Sequence, residues 1–209
     1  MKDLLVYVAD ADALAFMRSI LRRPQALGIR AITFDIERHP LRDSGMVQSG
    51  AELVRMKKGM YGKALLVWDH HGSGRDHKHA PADVCQEIQT KLDTFTWSGN
   101  SAVMILVPEL EQWLWFCESA VVSHCGITQA QLDQWVQDRA GKLGKAVVSL
   151  KQQQPKELFE YIMRERLMQT ISPRDFDEIG QRASVNALLG CETFSVIART
   201  LRAWFSSCA

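Results

Sequence analysis

Acidic residues follow three apolar segments of the sequence, each at the point where the segment ends. Asp10 and Asp12 follow residues 4–9, Asp69 ends residues 63–69, and Glu109 and Glu111 follow residues 101–108. Carboxylates that converge on one place repel each other unless a cation compensates. The usual cation is Mg²⁺ or Mn²⁺, which binds carboxylate oxygens and can clamp a phosphate. The pattern predicts a metal site if the segments are neighbours, although any single carboxylate could instead cap a helix or pair with an arginine.

Four of the six histidines lie between residues 70 and 79, in the stretch HHGSGRDHKH. His71 follows Asp69 by two residues, so in an extended chain both side chains point to one side and could bind one metal ion. Imidazole would shift the preference towards Mn²⁺ or Zn²⁺. For Asp69 and His71 a site and a solvated loop both remain open, whereas a loop is the favoured interpretation for His77 and His79. The segment GSGR (72–75) could offer N–H groups to an anion, but it lacks the P-loop pattern.

The first half of the chain alternates between two kinds of segment, which would position these residues. Apolar, β-branched runs predict strands at 4–9, 29–36, 63–69 and 101–108, and helical patterns lie at 11–25, 48–59 and 81–95. Runs that are apolar on both faces are typical of parallel strands covered by helices. The fold class predicted is therefore α/β, with a mainly parallel open sheet flanked by helices. In such sheets ligands bind beyond the carboxyl ends of the strands.

The second half of the chain reads as helical. Helices are predicted at 109–122, 126–141, 171–183 and 191–205, and residues 151–157 (KQQQPKE) are predicted to be a polar connector. Thr128 and Gln131 form a capping-box pattern, and Ser172 is a predicted N-cap before Pro173. We therefore expect an α/β domain at 1–118 and a helical C-terminal part at 119–209 that packs on it.

Composition excludes several classes of protein. The 209 residues carry 25 basic and 24 acidic side chains, a net charge of +1, which argues against a polybasic nucleic-acid binder. Local basic positions remain candidates for phosphate contacts, namely Arg22, Arg23, Lys57, Lys58 and Arg75. No apolar run reaches 18 residues, and the N-terminus lacks a signal-peptide pattern. Five cysteines without a C-x-x-C pair predict reduced thiols and a cytoplasmic protein.

Several of these motifs together resemble the TOPRIM-like proteins of bacterial defence and mobile-element loci. The resemblance consists of a first strand that runs into an acidic turn, a strand that ends in Asp69, and the segment VPELEQWLWF. In this family, distantly similar to OLD-type and RloB-type nucleases, the fourth strand leads into a P-x-x-E-x-W-L pattern. Pro108, Glu111, Trp113 and Leu114 match it. The segments KQQQPKELFEYI and CETFSVIARTLRAWF look like the C-terminal region of the family.

The resemblance implies a divalent-metal-dependent nuclease, acting in anti-phage defence, with Mg²⁺ or Mn²⁺ preferred over Zn²⁺. It implies catalytic roles for Asp10, Asp69 and Glu111, and a metal bound by Asp10, Asp12, Asp69, His71 and Glu111. The expected partners are nucleic acid or other proteins of a defence system. No membrane association is expected, and a homo-oligomer is possible.

Two positions depart from the TOPRIM pattern. Ala9 stands where these domains carry a glutamate, and the Asp-x-Asp motif reads Asp69-His70-His71. The alternative function is therefore a catalytically degenerate TOPRIM-like subunit that binds or scaffolds other components.

Overall fold

The structure, a computed structural model, describes residues 1–207. Its centre is a four-stranded parallel sheet in the order β2-β1-β3-β4. The strands are β1 (Lys2–Val8), β2 (Phe34–Arg38), β3 (Tyr61–Asp69) and β4 (Ser101–Leu106). Helices flank the sheet and form the C-terminal part of the chain, so the predicted α/β class is confirmed.

Helices connect the strands and form the part of the chain that follows β4. Those between strands are α1 (Ala11–Leu21), α2 (Pro24–Leu27), α3 (Arg42–Arg55) and α4 (Pro81–Leu92). After β4 come a 3₁₀ helix (Leu110–Phe116), α5 (Glu118–Cys125), α6 (Gln129–Leu143), α7 (Val147–Gln153) and α8 (Pro155–Glu160). A π-helical segment (Tyr161–Arg166) extends α8, and α9 (Pro173–Arg182), α10 (Val185–Leu188) and α11 (Glu192–Trp204) complete the fold.

The central strands β1 and β3 bury side chains on both faces, and this creates two cores. Leu5 and Tyr7 point to the face covered by α3 and α4. Leu4, Val6 and Val8 point to the other face, where they join a core that continues through α1 into the helical part. Trp113, fully buried in this second core, packs against rings of both parts, with centroid distances of 5.5 Å to Phe16 and 5.3 Å to Phe194. The helical part is therefore built on the sheet rather than separate from it.

Sequence patterns located the four strands and the longer helices, but they missed α7, α8 and α10 and misplaced some bounds. The capping box of Thr128 and Gln131 and the N-cap Ser172 are present, as predicted. The second strand begins at Phe34, so the prediction of a strand at 29–36 was wrong for residues 29–33. The predicted connector 151–157 was also wrong, because all of it except Gln154 lies in α7 and α8. The predicted helix 109–122 is a 3₁₀ helix followed by α5.

Two further features concern the chain as a whole. The cysteines Cys85, Cys117, Cys125 and Cys191 are unpaired, and Cys208 lies outside the described residues. None of the helices described is both long enough and apolar enough to cross a membrane.

Candidate functional site

Asp10 stands directly beyond the carboxyl end of β1 and is the N-cap of α1. Its Oδ1 accepts hydrogen bonds from the backbone N–H groups of Asp12 (3.1 Å) and Ala13 (2.9 Å). The interpretation that such a residue caps the next helix is therefore correct for one oxygen of Asp10. Capping also fixes the carboxylate at the edge of the sheet, beside the ends of the neighbouring strands.

Asp69, the last residue of β3, links the ends of two neighbouring segments. Its Oδ1 accepts a hydrogen bond from the backbone N–H of Leu110, just beyond β4, at 3.0 Å. Its own backbone N–H donates to Oδ1 of Asp43, which follows β2, at 3.0 Å. Because parallel strands end at one edge, these bonds draw acidic side chains from three connections into a single place.

A cleft of about 210 Å³ opens at this edge, and we refer to it as the carboxylate cleft. It is lined by Asp10, Arg42, Asp43, Asp69, His71, Gly72, Glu109 and Lys156. The buried carboxyl of Glu111, in the 3₁₀ helix that follows β4, lies beside this lining. The structure thus brings together four of the predicted site residues, Asp10, Asp69, His71 and Glu111, and adds four charged neighbours that the predicted set did not include.

The carboxyl groups of this cleft raise the pKa of one another. Burial raises the pKa of Asp69 well above its ordinary value, and the nearby charges of Glu111 and Asp43 raise it further. Burial likewise raises the pKa of Glu111 to about 7, with a smaller contribution from Glu109. Burial also raises the pKa of Asp43. Ionising all of these groups without a counter-ion is unfavourable, so the cleft has a deficit of positive charge.

Lys156, which belongs to the helical C-terminal part, partly offsets this deficit of positive charge. It lies in the first turn of α8, within the segment predicted to be a connector, and its side chain reaches the cleft. Burial would lower its pKa, but the carboxylates of Glu111 and Glu109 outweigh burial and raise it. The same ammonium lowers the pKa of Glu111. No feature of the local sequence marks Lys156, because only the packing of α8 on the sheet brings it there.

Hydrogen bonds of His39 fix the loop that follows β2, and this loop leads directly into Arg42 and Asp43. The N–H of His39 donates to the carbonyl of Val8 at 2.8 Å, and its Nδ1 accepts from the N–H of Leu41 at 3.0 Å. The proton therefore sits on Nε2, which donates to Oγ of Ser49 at 3.0 Å. Arg42 adopts a left-handed backbone with φ of 52°, a strained conformation that recurs at functional sites.

Gly45 is required beside this loop. A Cβ atom at residue 45 would lie 2.1 Å from Nδ1 of His39, so no larger residue fits without displacing the imidazole. Asp43 went unpredicted because the second strand was placed too early. Because β2 in fact ends at Arg38, Asp43 is also an acid that follows the end of a strand, like Asp10 and Glu111.

The histidines of the 70–79 stretch have different positions. His71 is exposed and lines the cleft, with its Nδ1 at 2.7 Å from Oε1 of the buried Glu109. His77 and His79 are exposed in the following loop and do not line the cleft, and Nε2 of His77 lies 3.6 Å from Asp76. His70 is buried, and its Nδ1 has no hydrogen-bond partner among residues 1–207.

Asp12, a further predicted ligand, lies in the first turn of α1, close enough to Lys156 of the cleft for that ammonium to lower its pKa. Burial, followed by the charge of Asp10, raises the pKa of Asp12 to about 6, and Asp175 of α9 raises it as well. Asp12 does not line the cleft. Its carboxylate is therefore more distant from the cleft than those of Asp10 and Asp69.

The basic residues predicted to contact nucleic acid are dispersed. Arg75 lies on the same edge as the cleft, 3.5 Å from Glu87. The other four lie where α1 and α3 end, at the amino-terminal edge of the sheet. There the Arg23 guanidinium donates to the carbonyls of Gly180 and Ala183, and Lys57 pairs with Glu37 at 2.7 Å. These two have structural partners, whereas Arg22 is exposed.

The donors of the cleft have the chemistry of a hard-cation site, but their present arrangement is not a complete one. Carboxylate oxygens with raised pKa values suit Mg²⁺ or Mn²⁺, whose charge would relieve their repulsion. Within residues 1–207, however, no three His, Cys, Asp or Glu side chains are placed to hold one metal ion. Binding would require carboxylates of the cleft to move closer together.

Comparisons of the chain with protein-family models, with curated proteins and with solved structures found no match. The relationship to TOPRIM-like proteins therefore remains a prediction from sequence motifs.

Proposed function

We propose that the protein is a divalent-metal-dependent hydrolase of nucleic-acid phosphodiesters and that the carboxylate cleft is its active site. The observation that supports this proposal is the convergence of Asp10, Asp43, Asp69 and Glu109 on one small cleft, next to the buried Glu111. A protein that needed only stability would not keep so many mutually repelling acids together. The TOPRIM-like relationship and the setting in bacterial anti-phage defence belong to the same proposal and are supported by the sequence motifs alone.

Asp10, Asp69 and Glu111 are the residues that we expect to hold the cation. Asp10 has one oxygen engaged in capping, and Asp69 has Oδ1 engaged by Leu110, so each retains a second oxygen for a ligand. A bound Mg²⁺ or Mn²⁺ would polarise a phosphate and lower the pKa of a coordinated water molecule.

The remaining charged residues of the cleft have roles that follow from their positions. Lys156 and Arg42 are the two cations in the lining, and they would contact the non-bridging oxygens of the phosphate. His71, held by the buried Glu109 through Nδ1, would present its other ring nitrogen towards solvent as a hydrogen-bonding group. With a pKa of about 7, Glu111 loses its proton near neutral pH, and the cleft then gains the charge that a cation requires.

A second candidate function is a non-catalytic subunit that binds nucleic acid or a partner protein through the same cleft. The observation that favours it is the lack of three metal-binding side chains in one suitable arrangement within the part of the chain that the structure describes. Lys156 would then serve as the permanent counter-ion of the carboxylates.

Incubation of the protein with plasmid DNA and with RNA, in the presence of Mg²⁺, Mn²⁺ or Zn²⁺, tests both functions. The variants are Asp69→Ala and, as a matched control, Asp83→Ala, an exposed aspartate of α4 outside the cleft. We expect cleavage with Mg²⁺ or Mn²⁺ that is lost in Asp69→Ala and retained in Asp83→Ala. Cleavage that persists in Asp69→Ala would refute the proposed site. The absence of both cleavage and cation binding in every condition would favour the non-catalytic subunit.

A further inference from the structure

A second pocket, of about 580 Å³, lies at the amino-terminal edge of the sheet, opposite the carboxylate cleft. It is lined by Arg55, Lys58, Thr94, Phe95 and Thr96, and we call it the basic pocket. Arg55 ends α3, Lys58 lies in the turn before β3, and residues 94–96 precede β4. Since the strands are parallel, segments that precede strands lie at the edge away from Asp69.

The two cations of this pocket rest on aromatic rings rather than on carboxylates. The guanidinium carbon of Arg55 lies 5.0 Å from the centre of the Phe95 ring, and Nζ of Lys58 lies 4.4 Å from that of the buried Trp97. Neither forms an ion pair with any carboxylate that the structure describes, whereas the adjacent Lys57 pairs with Glu37 at 2.7 Å. Aromatic rings orient a cation without neutralising it, so the pocket keeps two positive charges, and no acid is found among the described residues that line it.

The backbone of the pocket is strained at Thr96. The π-helical segment Asp93–Trp97, which continues from α4, is broken there, and Thr96 adopts φ of 67° and ψ of 22° in the left-handed region. A β-branched residue is disfavoured in this conformation, where glycine or asparagine would be expected. Thr96 lines the pocket and its hydroxyl has no hydrogen bond within residues 1–207, while the Thr94 hydroxyl donates to the carbonyl of Lys91. An observed outlier of this kind, next to unmatched charges, indicates a binding role.

We propose that the basic pocket binds a phosphate group of a nucleic acid or nucleotide. A guanidinium fork, an ammonium and a free hydroxyl are together the donors that phosphate oxygens accept, and the half-buried Phe95 in the lining suits contact with a neighbouring base. This binding does not depend on hydrolysis at the carboxylate cleft, since the two sites lie at opposite edges of the sheet. For a nucleic-acid substrate, the pocket would anchor the strand away from the cleaved bond.

Binding can be measured in EDTA, by fluorescence anisotropy with a labelled single-stranded 20-nucleotide DNA and RNA. The Arg55→Gln/Lys58→Gln double variant is compared with Lys57→Gln, which removes an adjacent but ion-paired charge. Unfolding temperature and far-UV circular dichroism check that all the proteins are folded. We expect the double variant to bind about tenfold or more weakly, with a shallower dependence of affinity on salt, and Lys57→Gln to bind within about twofold of wild type.

Competition with ATP and with inorganic pyrophosphate distinguishes the two sources of phosphate. Displacement of the oligonucleotide by ATP, absent in the double variant, would identify a nucleotide site, and failure of ATP to compete would identify nucleic acid as the ligand. The proposal is overturned if wild type binds neither ligand, if the double variant binds as wild type does, or if Lys57→Gln weakens binding equally.

Discussion

Replacing Glu111 with glutamine should stabilise the protein at alkaline pH and leave its stability unchanged at acidic pH. Glu111 is buried, with only 7% of its surface exposed, and burial raises its pKa from 4.5 to about 7. The folded state therefore favours the protonated carboxyl. This contribution to stability is fully present below pH 4.5 and is lost as the pH rises through about 7. Glutamine keeps the size and the hydrogen-bonding capacity of the protonated acid but cannot ionise.

The magnitude follows from the two pKa values. At roughly 1.36 kcal/mol for each pH unit that separates 4.5 from about 7, ionised Glu111 costs about 3 kcal/mol of folding free energy above pH 8. Removing its charge also relieves Asp69, whose pKa Glu111 raises. We therefore expect the unfolding free energy of Glu111→Gln to exceed that of wild type by about 2–3 kcal/mol at pH 8.5 and to equal it at pH 4.5.

Urea unfolding in EDTA, followed at pH 4.5, 6, 7 and 8.5, measures this difference. The matched control is Glu157→Gln, which neutralises an exposed glutamate next to Lys156 and should change stability by less than about 0.5 kcal/mol. If the unfolding free energies of wild type and Glu111→Gln change in parallel across this pH range, ionised Glu111 does not destabilise the folded protein and the reasoning is refuted.

Two further predictions concern neighbours of the cleft. Gly45→Ala should lower the unfolding free energy by about 2 kcal/mol or more, because the new Cβ would lie 2.1 Å from Nδ1 of His39. Gly141→Ala, in open space on α6, is the control and should be neutral or slightly stabilising. Thermal unfolding measures both variants, and equal effects of the two substitutions would contradict the reasoning. Lys156→Gln should shift the midpoint of the pH-dependent stability change to higher pH, because its ammonium lowers the pKa of Glu111. An unchanged midpoint in urea titrations would show that Lys156 does not act on the cleft.

The parallel sheet could be predicted because its central strands are apolar on both faces. Residues 4–8 and 64–68 are buried almost throughout, so their composition alone indicates covered strands. The second strand was harder, since β2 lies at the sheet edge and carries Asp35, Glu37 and Arg38. The more apolar residues just before it include Ile29, which packs into the core of the helical part and pairs with Ser206 rather than with the sheet. Hydrophobicity therefore indicated the wrong segment.

The candidate site was predictable only where it depends on strand ends. Asp10, Asp69 and Glu111 follow directly from the order of strands and acids, and all three occupy one edge. Lys156 could not be predicted, because its place depends on how α8 packs against the sheet, which is a tertiary contact without a local signature. Asp12, two residues after Asp10, lies in the first turn of α1 and does not line the cleft, so its role as a metal ligand stays a prediction.

Calorimetric titration of the protein with Mn²⁺ and with Mg²⁺ at pH 8 tests most directly whether the carboxylate cleft is a metal site. We predict saturable binding to wild type that weakens at pH 6, where protons compete for Glu111, and that is lost in Asp69→Asn but kept in Asp83→Asn. Wild-type protein that shows no saturable binding of either ion, or Asp69→Asn that binds as wild type does, would contradict this account.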